Sequence, residues 1–139
     1  MELKEKITKL RRMKGLSQSE LAVLVGVTCR SIQNYEAGSR YPKKDVLAKI
    51  AEALDVEEKK LVSEEEEFII EANDKYGLRG QSAAEHLVSN ANALFAGGDI
   101  TEDDKAKVLE AIQEAYWQAK LINKKYTPKK YRNNNNPNE

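Results

Sequence analysis

The sequence has little of what disulfide-bonded or membrane-spanning proteins need: of its 139 residues, one is cysteine and three are proline. A lone cysteine, Cys29, excludes an intramolecular disulfide and is typical of a reducing compartment. No apolar run approaches the roughly 18–20 residues of a membrane-spanning helix. The N-terminal segment is charged from its start and lacks the apolar core of a secretory signal. These absences predict a cytoplasmic protein that makes no contact with a membrane.

The net charge of zero conceals an uneven distribution of charge along the chain. Residues 1–62 contain 13 basic and 9 acidic side chains, a net charge of +4. Residues 63–114 contain 4 and 13, a net charge of −9, and residues 115–139 contain 6 and 1, a net charge of +5. A polyanion binds one face of a protein rather than its average charge. The two basic segments are therefore candidate polyanion contacts, whereas the acidic middle is not.

Apolar spacing and capping residues predict five short helices in a compact domain over residues 1–62. Apolar side chains recur at helical spacing from Leu3 to Met13, which indicates an amphipathic first helix. A fourth helix follows Pro42, and a short fifth turn covers residues 57–62. The residues predicted to begin or end the first three helices are Gly15, Ser17, Glu20, Gly26, Thr28 and Gly38.

A C-terminal helical region is predicted over residues 63–132, followed by a disordered, low-complexity tail over residues 133–139. Its helices are predicted to run from a capping box at Ser63 to Gly77, over residues 82–96, and from a Thr101 cap to about residue 123. The predicted fold class is therefore all-α, with a five-helix domain and a helical extension.

The second and third helices of the first domain differ in polarity. The second, "SELAVLV", is mostly aliphatic, whereas the third contains almost no aliphatic residue except Ile32. A helix-turn-helix needs a small residue where the helices cross, a glycine in the turn and an aliphatic anchor beneath the second helix. Ala22, Gly26 and Ile32 stand at these places. The apolar helix is predicted to be core, and the polar helix either enters a DNA groove or is an ordinary solvated face.

Three stretches, "LRRMKGLSQSELA", "VGVTCRSIQNYEAGSRYP" and "LAKIAEALDV", resemble the lambda-repressor-like (Xre/Cro) family of helix-turn-helix regulators over roughly residues 4–62. The resemblance rests on several separated elements in the same order and spacing. It implies a five-helix lambda-repressor-like fold and a transcriptional regulator, most simply a repressor, that binds double-stranded DNA as a dimer on an operator.

The resemblance also implies roles for individual residues. Arg30 has the geometry to hold guanine O6 and N7, and Asn34 to pair with adenine N6 and N7. Arg11 and Glu36 match a pair that orients the recognition helix, since an exposed ion pair alone contributes only about 0–1 kcal/mol. The residues implied in DNA binding are Gln18, Thr28, Cys29, Arg30, Ser31, Gln33, Asn34, Arg40, Lys43 and Lys44. Those implied in the structure of the motif are Arg11, Ala22, Gly26, Ile32 and Glu36.

Four positions depart from the family pattern. Lys43 stands where a small hydroxyl often caps the fourth helix, and Asp55 replaces a frequent glycine, although aspartate tolerates the left-handed region. Tyr35 stands where another aromatic is common, and Cys29 where a longer polar side chain is usual. These changes affect the reading surface more than the fold.

Catalytic and metal-dependent functions find little support in the sequence. His86 is the only histidine, and Cys29 has no second thiol with which to form a redox or metal switch. The acidic run after Gly98 lacks the alternating oxygen ligands of a calcium loop. Some regulators of the resembled family carry a self-cleaving serine–lysine domain, but residues 64–132 lack a β-rich segment. No enzymatic activity, cofactor or metal site is predicted.

The C-terminal helices leave two interpretations open. A long apolar stripe from Val108 to Ile122 favours a homodimer formed through residues 63–132. The alternative is a protein-interaction module or antitoxin whose C-terminal helices bind a partner protein. The basic segment 120–132 either contacts phosphates or docks its tyrosines on the helices.

Overall fold

The computed structural model describes the backbone of residues 1–126 and the side chains of residues 1–123. Within this part of the chain all regular structure is α-helical, which confirms the predicted fold class. The chain divides into two compact units, the first comprising Met1–Ser82 and the second beginning at Ala83. The helices are α1 (Leu3–Met13), α2 (Gln18–Val25), α3 (Cys29–Ala37), α4 (Lys44–Ala53), α5 (Glu58–Leu61), α6 (Glu64–Phe95) and α7 (Glu102–Tyr126).

Capping residues begin helices α2 and α3 as the sequence predicts. The Oγ atom of Ser17 accepts a hydrogen bond from the Glu20 N–H, and Glu20 Oε1 accepts one from the Ser17 N–H, each at 3.0 Å. The bond from the Ser17 backbone holds the pKa of Glu20 below its ordinary value. Thr28 Oγ1 accepts from the Ser31 N–H at 3.1 Å at the start of α3. Asp55 adopts a left-handed φ of +57° after α4, in agreement with the tolerance expected of aspartate.

The core of the first unit is built from one apolar stripe of each helix. Ile7 of α1, Ile32 of α3 and Ile50 of α4 are fully buried in it. The core extends past the predicted five-helix domain, because Ile70 of α6 belongs to the same cluster. Its other members are Leu3, Leu21, Ala22, Val25, Leu47, Ala51, Leu54, Leu61 and Val62.

Two expectations about the core were wrong. Met13 does not continue the buried stripe of α1, since its side chain is 72% exposed. The stripe continues instead through Arg11, and Met13 lies about 200° further around the helix. Helix α2 is buried on one side only, and Val23 and Leu24, on its other side, are 81% and 60% exposed.

Helix α6 begins inside the first unit, whereas the sequence placed a domain boundary after residue 62. Ser63 and Glu66 form the predicted capping box, with Ser63 Oγ accepting from the Glu66 N–H at 3.2 Å. The second carboxylate oxygen of Glu66 accepts a hydrogen bond from the Leu3 N–H at 2.7 Å. Glu66 therefore caps α6 and the start of α1 together, which joins residues 64–82 to the helices that precede them.

A kink at Gly77 interrupts α6. Gly77 has φ +68° and ψ −153°, a conformation that essentially only glycine adopts. The predicted end of a helix at Gly77 corresponds to this kink, but the chain resumes helical structure at once rather than at residue 82. Gly80 allows the return, because a β-carbon there would overlap the carbonyl oxygen of Ala72.

The second unit contains the remainder of α6 and helix α7. Thr101 caps α7 as predicted, its Oγ1 accepting from the Asp104 N–H at 3.2 Å. The side chains buried in this unit include Val88, Ala91, Phe95, Leu109 and Tyr116. Residues 127–132 of the basic segment and the predicted tail over residues 133–139 lie outside the described part of the chain.

Candidate nucleic-acid interface

Helices α2 and α3 meet at a tight turn. Gly26 has a left-handed φ of +83°, which costs glycine little, and its N–H donates to the Ala22 carbonyl at 2.8 Å. The Val27 N–H donates to the same carbonyl at 3.0 Å, which closes the end of α2. Ala22 is buried where α2 approaches α3, and Ile32 anchors α3 with no exposed surface. The structure thus brings Ala22, Gly26 and Ile32 into one helix-turn-helix unit.

The outer side of α3 presents the polar residues that the sequence singled out. Arg30 and Gln33 are exposed, and Asn34 is half-buried. Thr28 is exposed at the start of the helix, where its hydroxyl lies 3.0 Å from that of Ser31. Amide and guanidinium groups of this kind read base edges, and hydroxyl groups at a helix start contact the DNA backbone.

Cys29 has a different environment from the other outward residues of α3. Its side chain is half-buried and packs partly against the core. The sulfur accepts hydrogen bonds from Ser19 Oγ at 3.4 Å and from Gln33 Nε2 at 3.8 Å. Cys29 therefore links α2 to α3 and orients the Gln33 amide.

A buried ion pair fixes α3 against α1. Arg11 Nε and Nη2 donate to the two carboxylate oxygens of Glu36 at 2.7 and 3.0 Å, and Arg11 Nη1 donates to the Leu16 carbonyl at 2.8 Å. The two charged side chains are only 10% and 8% exposed, so the expectation of an exposed pair was wrong. Bidentate contacts of this kind combine strength with a fixed geometry.

The ion pair also orients the residue at the start of α2. The Gln18 amide donates from Nε2 to Glu36 Oε1 at 3.1 Å. Burial raises the pKa of Glu36, but the hydrogen bonds from Arg11 and Gln18 outweigh it and hold that pKa below its ordinary value. The hydrogen bond to Glu36 likewise raises the pKa of Arg11. Both groups are thus charged at neutral pH, and Arg11, Gln18 and Glu36 form what we call the Glu36 clamp.

The cations that follow α3 have unequal surroundings. Arg40 is exposed in the α3–α4 loop (residues 38–43). Lys43 is exposed as well, but its ammonium donates to the Asn73 carbonyl at 3.0 Å. Lys44 lies 3.5 Å from the Glu71 carboxylate. Since an ammonium has three donors, these contacts direct the two lysines toward α6 while leaving further donors.

Residues of α6 that no sequence motif marks contact the same loop. Asn73 Nδ2 donates to the Tyr41 carbonyl at 2.9 Å, and Gln81 Oε1 accepts from the Tyr41 N–H at 3.2 Å. The Lys44 N–H faces Asp74 Oδ1 at 3.4 Å, which supplies the cap that Lys43 lacks the hydroxyl to provide. In the sequence, only the lack of a capping hydroxyl at Lys43 indicated that another part of the chain caps α4.

No helix among the described residues combines the length and the hydrophobicity that crossing a membrane requires. Within the same part of the chain, no three His, Cys, Asp or Glu side chains are grouped as a metal site would group them.

Comparison with known proteins agrees with this geometry. A helix-turn-helix family model matches residues 7–61. The immunity repressor protein of Bacillus phage phi105 is 28% identical over 140 residues, which cover 96% of this chain and 97% of that protein. No solved structure matches. These matches confirm that residues 7–61 resemble the helix-turn-helix regulators of the lambda-repressor-like type.

Proposed function

We propose that this protein is a transcriptional repressor that binds double-stranded DNA and places α3 in the major groove. The observation that carries the proposal is the polar outer side of α3, which Ile32 anchors in the core and the Glu36 clamp holds in orientation. A merely solvated helix would not need a buried bidentate ion pair to fix its direction. A groove-reading helix does, because base readout depends on placing donors accurately.

Base readout is assigned to the outward side chains of α3. Arg30 donates to O6 and N7 of guanine, and Asn34 exchanges two hydrogen bonds with adenine. Gln33 supplies a further polar contact, while the half-buried Cys29 contributes a small, weakly polar surface. Each good bidentate contact discriminates against a wrong base by about 1–3 kcal/mol.

Phosphate contacts are assigned to both sides of the reading helix. Gln18 stands at the N-terminus of α2, where backbone N–H groups and the helix dipole favour an anion. Thr28 and Ser31 lie at the start of α3, and Arg40, Lys43 and Lys44 lie at or beside the α3–α4 loop. These contacts fix the position of the protein on DNA but carry no sequence information themselves.

Repression rests on the similarity to the phage phi105 immunity repressor protein, which extends over nearly the whole of both chains. A bound protein of this kind blocks transcription by occupying an operator. The shared length includes the C-terminal helices, so these helices are part of the proposed repressor and not an unrelated addition.

The repressor is proposed to act as a homodimer joined through the second unit. Among the described side chains of that unit, four large apolar ones are exposed: Leu94, Val108, Leu121 and Ile122. One reading helix covers only a few base pairs, and a dimer doubles the site with half-sites about 34 Å apart. Binding of a different protein by the same apolar residues is the alternative, and it would leave the purified chain monomeric.

Selection of bound sequences from random duplex DNA tests the proposed function. We expect a recovered site with two-fold symmetry and half-sites about one helical turn apart. Lys107→Ala, a change at an exposed lysine of the second unit, is a control that should return the same site. Recovery of no common sequence from a folded protein would contradict the proposal.

A further inference from the structure

We infer that Asn73 and Gln81, which lie outside the helix-turn-helix segment, are positioning residues for DNA binding because they hold the α3–α4 loop in its phosphate-contacting conformation. This inference rests on the proposed function. It assigns to α6 a part in the DNA interface that residues 7–61 do not supply by themselves.

The two amides hold one residue of the loop, Tyr41, through the peptide groups on both sides of it. The Tyr41 N–H donates to Gln81 Oε1 at 3.2 Å, and the Tyr41 carbonyl accepts from Asn73 Nδ2 at 2.9 Å. The same Asn73 amide also donates to Gln81 Oε1 at 2.9 Å, which closes the network. Tyr41 is flanked in the loop by Arg40 and followed closely by Lys43. Fixing the peptide groups on both sides of Tyr41 therefore fixes the backbone that carries both cations.

The backbone of Asn73 makes a third contact with this loop. Its carbonyl accepts from the Lys43 ammonium at 3.0 Å. This carbonyl lies in the last turn before the Gly77 kink. The contact sets the direction of the Lys43 side chain while leaving two donors for a phosphate.

The kink is what makes the network possible. In a straight helix, residues eight positions apart are separated by about 12 Å along the axis, too far for their amides to meet. The turn at Gly77 brings Asn73 and Gln81 within hydrogen-bonding distance. Both are buried, at 6% and 5% exposed, so a broken bond would leave an amide or a peptide group without water.

An ordered loop favours DNA binding because less conformational freedom is lost when the complex forms. If α6 sets this order, disturbing the network should weaken the phosphate contacts of the loop. Base readout by α3 should be unchanged. The preferred DNA sequence and the salt dependence of binding therefore separate this effect from a general loss of structure.

The test compares full-length variants in titrations of one duplex over a range of salt concentrations. Asn73→Asp keeps the size of the side chain but removes the amide that donates to Tyr41 and Gln81. We expect an approximately tenfold loss of affinity and a salt slope flatter by about 0.9, the value of one phosphate contact. The preferred sequence should remain that of the wild type.

A control and a rescue distinguish positioning from stability. Glu66→Ala removes another buried polar group of α6, 7% exposed, that bonds Leu3 and not the loop. It should lower the melting temperature yet keep the wild-type salt slope. Gln81→Leu removes the accepting oxygen and should flatten the salt slope. Gln81→Glu retains an accepting oxygen and should show the wild-type salt slope. These two variants provide the test if Asn73→Asp does not fold.

Wild-type slopes and affinities in folded Asn73→Asp and Gln81→Leu would overturn the inference while leaving the proposed function standing. An equal change of slope in Glu66→Ala would also overturn it, because the effect would then follow stability. Failure of the wild-type protein to bind any duplex would instead remove the proposed function itself.

Discussion

Glu36 is the residue on which the orientation of the reading helix depends most. It lies in the last turns of α3 and accepts hydrogen bonds from Arg11 of α1 and Gln18 of α2. One carboxylate thereby joins three helices. Because the charge is buried, removing either member of the ion pair leaves the other without compensation in a poorly solvated site.

Glu36→Ala should lower the free energy of unfolding by about 3 kcal/mol at pH 7, within the range measured when one partner of a buried pair is removed. Urea unfolding followed by circular dichroism measures this difference. Glu52→Ala, at an exposed glutamate of α4, is a control expected to stay within about 0.5 kcal/mol of the wild type. A loss for Glu36→Ala as small as that of the control would contradict the buried clamp.

The same variant predicts how stability responds to acid. The folded-state pKa of Glu36 lies below its unfolded value, so its contribution is complete at neutral pH. The contribution is lost as the pH falls below about 4.3 and through the folded-state pKa. The difference in unfolding free energy between wild type and Glu36→Ala should therefore shrink in acid, and a difference that stayed constant from pH 7 to pH 3 would contradict this account.

Arg30 is expected to decide part of the preferred DNA sequence, since it is exposed on the reading side of α3. Arg30→Ala should cost about 1–3 kcal/mol on the selected site and relax the preference at one position of each half-site. Competition titrations with single-base variants of the site measure both effects. An unaltered preference would place α3 outside the groove.

At the scale of single helices, α6 shows what a local reading of the sequence can and cannot provide. Caps such as Thr28 and Ser63 are predictable because their partners lie three residues away. The contact between Asp74 and the start of α4 joins residues 30 positions apart, and no local pattern encodes it. The glycine at 77 was visible as an interruption, but whether a helix ends or turns there depends on the packing of the residues that follow.

The polar outer side of α3 was predictable for a related reason. Ile32 and the flanking glycines fix that helix locally, and its outward residues follow from the helical period. Burial of Arg11 was not predictable, because a stripe of Leu3, Ile7, Leu10 and Met13 looks complete without it. The Arg11 charge is tolerated on the buried side of α1 because Glu36 of α3 lies opposite it, and this partner is 25 residues away in the sequence.

Gly80→Ala tests the tight return of α6. Replacing glycine by alanine inside a helix usually stabilises it by about 1 kcal/mol. Here the new β-carbon would overlap the Ala72 carbonyl oxygen and lie 2.7 Å from Tyr76 Cβ. We therefore expect a loss of about 1–3 kcal/mol in unfolding free energy. The exposed Ser82→Ala is the control, and a stabilised Gly80→Ala protein would contradict the geometry of the kink.

For the whole molecule, the first unit combines the helix-turn-helix segment with the first part of α6. The capping of α1 by Glu66 and the burial of Ile70 explain why this unit continues past residue 62. The second unit carries the exposed apolar residues on which the proposed dimer depends. DNA reading and self-association are thus assigned to different parts of one chain.

Leu121→Glu should convert the proposed dimer into a monomer, because a charge would then stand in an apolar contact between two copies. Sedimentation equilibrium of the full chain measures the mass. Leu24→Glu is a matched control: Leu24 is 60% exposed and Leu121 is 61% exposed, and Leu24 lies on α2. A monomeric wild type would contradict the dimer, and dissociation caused by Leu24→Glu would place the interface on the first unit.

The most direct measurement is the binding isotherm of the purified, folded protein with duplex DNA at decreasing salt concentrations. We predict saturable binding that strengthens as salt is lowered, with tighter binding to the selected site than to a scrambled duplex of equal length. A protein that keeps its helical circular dichroism at low ionic strength and yet binds neither duplex would contradict the assignment of α3 as a DNA-reading helix.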